Sequence, residues 1–87
     1  MKIIYTASFL KTIKEFELNL QNEIFGKIEL FKDKKNHKGL NVHKLHGKFS
    51  GSYSFYINYK IRIVLEYSNK DKEKVFFLLI GDHDIYK

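Results

Sequence analysis

An 87-residue chain is the size of one small domain, so each large apolar side chain counts toward a core that buries a smaller share of surface than in bigger proteins. The absence of cysteine excludes a disulfide or thiolate–metal framework, and no apolar run approaches the ~20 residues of a membrane span. Sixteen basic residues against ten acidic ones leave a net charge of +6, which favours an anionic partner such as nucleic acid or an acidic protein segment. The N-terminal stretch also lacks the apolar core and cleavage site of a signal peptide. We therefore expect one cytoplasmic domain over residues 1–87, with neither a membrane nor a small-molecule substrate as partner.

Residues 2–6, "KIIYT", are β-branched and aromatic and predict a short first strand, with Thr6 or Ser8 able to cap a helix after it. Phe9, Ile13 and Phe16, then Leu20, Ile24, Ile28 and Phe31, recur at helical spacing. They predict two antiparallel helices, 8–18 and 20–35, whose apolar stripes face a sheet. Gly26 costs such a helix up to ~1 kcal/mol relative to alanine, so it is expected to mark a close approach. Lys32, Lys34 and Lys35 fall in the predicted last turn, where cations oppose the negative end of the dipole, and Asn36 to Gly39 releases the chain.

A polar, glycine-punctuated stretch then leads into a strand around 52–58. "KIRIVLEY" sets Ile61, Ile63, Leu65 and Tyr67 on one face and Arg62, Val64 and Glu66 on the other. After the charged turn "SNKDKEK", the run "VFFLLIG" predicts a last, central strand that is apolar on both faces. The order β-α-α-β-β-β implies an α+β fold of two layers, a helical hairpin on one face of a mostly antiparallel four-stranded sheet. The first strand is expected beside the last.

Three polar clusters can carry chemistry: His43, Lys44, His46 and Lys48 before the second strand, Arg62 within the third, and His83, Tyr86 and Lys87 after the fourth. Fifteen of the basic residues are lysines, so the single arginine inside an apolar alternation asks for its own explanation. The third and fourth strands are antiparallel neighbours across a short turn, which brings Arg62 and His83 to one end of the sheet. The loop bearing His43 to Lys48 must curl back over the polar face to join them. Such a set suits phosphodiester cleavage in RNA. A 2′-hydroxyl needs a base, the leaving 5′-oxygen a proton, and the pentacoordinate intermediate a cation with directed donors. Histidine exchanges protons near neutrality, arginine's fork matches two phosphate oxygens, and Tyr86 can hydrogen-bond or stack on a base. This route requires no metal.

Plainer readings stand beside these. His83 between two aspartates can be a strand-end histidine held locally, and Arg62 can cover apolar surface with its stem while pairing with Glu66 or Asp82. "HKLH" with His83 and an aspartate can be a metal site. Lys44 and Lys48 are solvated lysines that also attract phosphate, and His37 is read as surface. Tyr53, Phe55, Tyr59 and Tyr67 are read as core or sheet-face aromatics rather than a nucleobase platform.

Over nearly the whole chain, the order "LHGKFSGSYSFYINYKIRIVLEY" followed by "VFFLLIGDHDIYK" resembles the RelE/ParE superfamily of type II toxins. The "L-x-G" loop, the arginine-bearing strand and the closing "IGDHDIYK" carry the likeness. The resemblance implies a RelE-like fold and a cofactor-free, ribosome-dependent mRNA endoribonuclease acting at the A site of the small ribosomal subunit. Its partners would be mRNA, rRNA and a cognate antitoxin. By position, Arg62 matches the phosphate-contacting strand arginine, His83 the C-terminal acid or base, and Tyr86 lies near an active-site aromatic. His43 stands where one histidine-rich branch has a functional histidine. Ile57 and Asn58 occupy the region of that branch's other histidine, and Lys60 stands where a different branch has glutamate, so the choice of base stays open. Lys44, His46, Lys48, Lys60 and Lys87 complete the expected RNA-binding set. The alternatives are a ParE-like inhibitor of DNA gyrase and an inactive antitoxin-binding module.

Overall fold

Apolar alternation and helical spacing resolve into two helices and five strands in the computed structural model, which describes residues 1–86 apart from the side chain of Tyr86. The strands are β1 (Lys2–Tyr5), β2 (His43–Lys44), β3 (Tyr53–Tyr56), β4 (Arg62–Tyr67) and β5 (Lys74–Gly81), and the helices are α1 (Ala7–Ile13) and α2 (Leu18–Phe31). Short 3-10 turns cover Lys34–Asn36, Gly47–Phe49 and His83–Tyr86. The sheet order is β1-β5-β4-β3-β2, with β1 parallel to β5 and every other pair antiparallel. The first strand does lie beside the last. The sheet has five strands rather than the four expected, because β2 pairs through two residues only, too few to leave an alternation in the sequence.

Both helices are shorter than their spacing suggested. α1 ends at Ile13, its last core-facing residue, and Glu15 and Phe16 donate back to the Thr12 and Ile13 carbonyls to form the hairpin turn. α2 ends at Phe31 because Asn36 donates its Nδ2 to the Leu30 carbonyl at 2.9 Å and the Asp33 carboxylate accepts from the Lys35 amide at 3.1 Å. Lys34 and Lys35 thus belong to a separate 3-10 turn, and Lys32 is the residue that caps α2 rather than part of its last turn. A Cβ built on Gly26 meets nothing within 4 Å, so this glycine marks no close approach. His37, expected on the surface, stacks on Phe31 at 4.5 Å between ring centroids and donates from Nε2 to the Phe31 carbonyl at 2.7 Å. The imidazole is half-buried, with one face on the core ring of Phe31.

Phe9, Ile13, Ile24, Ile28 and Phe31 from the helices pack with Phe55, Ile63, Leu65, Val75, Phe77 and Ile80 from one face of the sheet. Phe31 lies parallel to Phe55 at 4.8 Å and edge-on to Phe77 at 5.4 Å. One irregularity organises this face. Leu65 pairs with Phe77 but Val64 pairs with Leu79, so Leu78 is an extra residue, a β-bulge. The bulge lets Val75, Phe77 and Ile80 all face the core although their numbers break strict alternation. Thr6 secures the spot. Its hydroxyl donates to the Leu78 carbonyl at 2.9 Å and accepts from the Phe9 amide at 3.1 Å, capping α1 on the bulge.

Removing that hydroxyl in Thr6→Ala is expected to cost about 1–2 kcal/mol, since it takes away a helix cap and the partner of the Leu78 carbonyl. Gly26→Ala, in an open helical position, is expected to gain roughly 0.5–1 kcal/mol. Urea unfolding midpoints of the two variants check both signs.

Candidate functional site

At the end of β5, Gly81 lies directly opposite Arg62 of β4. The chain then turns at once. The Asp82 carboxylate accepts from the Asp84 amide at 2.9 Å, and the Asp82 carbonyl accepts from the Ile85 amide at 3.1 Å. Ile85 folds back over Gly81 so closely that a Cβ there would collide with its side chain. These contacts aim His83 at the sheet, and its Nδ1 sits 3.4 Å from Nη1 of Arg62.

Tyr56 of β3 is the register partner of Arg62 on the other side, and the guanidinium lies over its ring, 4.8 Å from the centroid. The His43 ring on β2 lies 5.9 Å from Tyr56 with 28° between planes. Phe55 and Ile63 face the helices, so their chain neighbours Tyr56 and Arg62 face away from them. His43, Tyr56, Arg62 and His83 thereby form a row across three strands and the C-terminal turn, on the face the helices leave open.

The loop between β2 and β3 does reach this face. Its Leu45 amide bonds the Ser52 carbonyl at 2.9 Å, and Gly47 and Gly51 turn it with φ of 70° and 95°, the left-handed region that glycine enters at no steric cost. A cavity of ≈ 220 Å³ is lined by His43, Leu45, His46, Lys48, Phe49 and Arg62. Lys48 also lies over the Phe49 ring at 5.8 Å. Lys44, exposed and next to His43 on β2, is outside that lining and borders a recess with Ser50 and Ser52. On the other flank of Arg62, Lys60 lines a cleft with Tyr59, Asp82, His83 and Asp84. The Tyr86 side chain and Lys87 lie outside the described residues.

Hydrogen bonding sets the imidazoles' orientation. His43 Nδ1 is 2.7 Å from the Asn41 carbonyl, which can only accept, so Nδ1 carries the hydrogen and a neutral ring presents a bare Nε2. The guanidinium can only donate, so the neutral His83 ring presents Nδ1 to Arg62 and keeps its hydrogen on Nε2. Among the described residues, no three His, Asp or Glu side chains are grouped to hold a metal ion. Sequence reasoning missed Tyr56 and Asn41. Alternation with Phe55 was a usable signal for Tyr56, whereas Asn41 acts through its carbonyl at a φ of 58° and leaves no side-chain clue. Tyr59, expected in the core or on a sheet face, is instead 93% exposed.

No family model and no curated protein matches the sequence. Solved structures match over nearly its full length. A YoeB/ParE toxin from Agrobacterium tumefaciens superposes with a TM-score of 0.69 at 18% identity, covering 95% of this chain and 99% of that one. YoeB in its complex with YefM from Staphylococcus aureus gives 0.72 at 18%, covering 95% and 97%, and YafQ from E. coli gives 0.70 at 12%, covering 98% and 96%. This chain has the RelE/ParE toxin fold. Identities this low establish the fold alone. No described helix is long and apolar enough to cross a membrane.

Gly81→Ala is expected to push Ile85 off the sheet end and cost about 1–3 kcal/mol through overpacking. Its signature is a change in the His83 imidazole resonances while those of Phe31 and Phe77 stay in place.

Proposed function

We propose that this chain is the toxin of a type II toxin–antitoxin pair and cleaves mRNA on the ribosome by metal-free acid–base chemistry. The observation that carries the reading is the Arg62–His83 contact, a phosphate-matching fork beside an imidazole at the rim of a fold shared with RelE/ParE toxins. In this mechanism the bare Nε2 of His43 takes the proton of a 2′-hydroxyl. The 2′-oxygen attacks phosphorus, Arg62 balances the charge of the pentacoordinate species, and the bond from phosphorus to the 5′-oxygen breaks. His83 gives that oxygen a proton, having taken one up from solvent water at Nδ1 once Arg62 turns from it to the phosphate. A 2′,3′-cyclic phosphate and a 5′-hydroxyl result. His46, Lys48 and Lys60 hold the RNA backbone near Arg62 and Lys44 attracts it at longer range, while the resemblance adds Lys87 as a further cation and Tyr86 as a hydrogen-bonding or stacking group.

The neighbours from Staphylococcus aureus and Mycobacterium tuberculosis were solved as toxin–antitoxin complexes. From that likeness we infer a cognate antitoxin for this chain, with an acidic segment that offsets its +6 charge.

Induction of the chain in bacteria is expected to arrest growth and produce ribosome-dependent mRNA ends at codons. His83→Ala and Arg62→Ala are each expected to lower cleavage by about 10²–10⁴-fold and restore growth while circular dichroism stays unchanged. Full toxicity in both folded variants would sink this site. Intact mRNA with DNA-damage signalling would replace the reading with gyrase inhibition, and harmless expression with retained antitoxin binding would replace it with a binding module.

A further inference from the structure

Arg62 divides the open face of the sheet into two chemically unlike sides. On one, it shares a cavity with His43, His46 and Lys48, and among the described residues no carboxylate lines it. On the other, the cleft is lined by Tyr59, Lys60, Asp82, His83 and Asp84 as well as Arg62. Two cations, Lys60 and Arg62, line it with two carboxylates, Asp82 and Asp84, so the formal charges of the described residues there cancel. A phosphate is favoured on the first side, which is basic, over the second, where the balanced charges attract it less. The second side suits the uncharged part of a nucleotide.

Tyr59 supplies a surface for it. The ring is 93% exposed, so core packing does not account for it. Yet the hairpin that carries it is firmly held. The Asn58 side-chain oxygen accepts from the amides of both Lys60 and Ile61 at 2.8 Å, and its Nδ2 donates to Glu23 of α2 at 3.3 Å. The Ile57 amide closes the loop on the Ile61 carbonyl at 2.8 Å. An aromatic ring on a fixed loop loses little freedom when another ring stacks on it. At ≈ 260 Å³ the cleft is below the size of a drug-sized pocket and suits a single base.

We propose that this cleft is a nucleobase subsite, in which the base adjoining the phosphate on Arg62 stacks on Tyr59 and donates its exocyclic amino group to the carboxylates of Asp82 and Asp84. Ionised carboxylates only accept hydrogen bonds, so they favour bases that carry an amino group. Adenine and cytosine present that group with one flank clear of any carbonyl. Uracil has none, and its single N–H lies between two carbonyl oxygens that a carboxylate repels. The subsite therefore selects against uracil. This inference rests on the reading of the chain as an RNA-cleaving protein.

The test uses the full chain and single-stranded trinucleotides of adenosine, cytidine or uridine, 2′-O-methylated so that cleavage cannot occur. Adenosine and cytidine probes are expected to shift the Tyr59 ring resonances, and Tyr59→Ala to weaken their binding by about 5- to 150-fold. Tyr59→Trp is expected to restore it, and Asp84→Ala to narrow the preference over uridine. Equal binding by Tyr59→Ala, or equal binding of all three probes by the native chain, would overturn the proposal. Binding does not depend on catalysis, which keeps the two readings apart. A chain that binds through Tyr59 but leaves mRNA intact loses the nuclease assignment and keeps the subsite. One that cleaves mRNA while Tyr59→Ala alters neither affinity nor base preference keeps the nuclease assignment and loses the subsite.

Discussion

The pairing of β4 with β5 decides most of what this molecule is, because one extra residue in β5 reverses the facing of everything beyond it. Before the bulge at Leu78, odd-numbered Val75 and Phe77 face the helices; after it, Ile80 does. Without the extra residue Ile80 would stand opposite Arg62 on the open face, and a large apolar side chain would occupy the place of Gly81. A register slip of one residue transfers a whole set of side chains between faces, which is why the bulge is tied down by Thr6 from the start of α1. The core and the site are therefore set by the same local event.

From that point the C-terminal turn has little freedom. Gly81 leaves room for Ile85, Asp82 bonds the Asp84 amide, and His83 is left facing Arg62. The two aspartates around His83 thus have different occupations. Asp82 shapes the turn, and both line the cleft beside Tyr59. On the other flank, Tyr56 lies under the guanidinium and beside His43, so an aromatic ring joins two strands' worth of polar groups into one row. Arginine suits this position where lysine would not, since its planar group can lie on a ring and still present a fork of donors.

Likeness to YoeB and YafQ toxins at identities of 12–18% is physically reasonable for a domain of this size. The fold depends on apolar parity along β4 and β5 and on enough aromatic volume between sheet and hairpin, and many sequences satisfy both. Function is a separate matter, because a shared fold does not by itself imply a shared activity. The charge asymmetry about Arg62, basic with histidines on one side and balanced with an exposed tyrosine on the other, belongs to this chain's residues rather than to the scaffold.

By itself the sequence determined the class of fold, the helical hairpin, the placement of the first strand beside the last, and the approach of Arg62 to the end of β5. Each is legible because local periodicity and a short charged turn are enough to specify it. It did not determine the two-residue strand β2, the ends of the helices or the bulge. A run of six apolar residues from Val75 to Ile80 has no alternation from which to read facing. Tertiary structure alone decided that Leu78 is the extra residue, that His37 stacks on Phe31, that Tyr56 joins His43 to Arg62, and that Tyr59 stands in solvent. Those outcomes depend on which atoms meet across strands distant in the chain, and spacing along one strand carries no record of its partner.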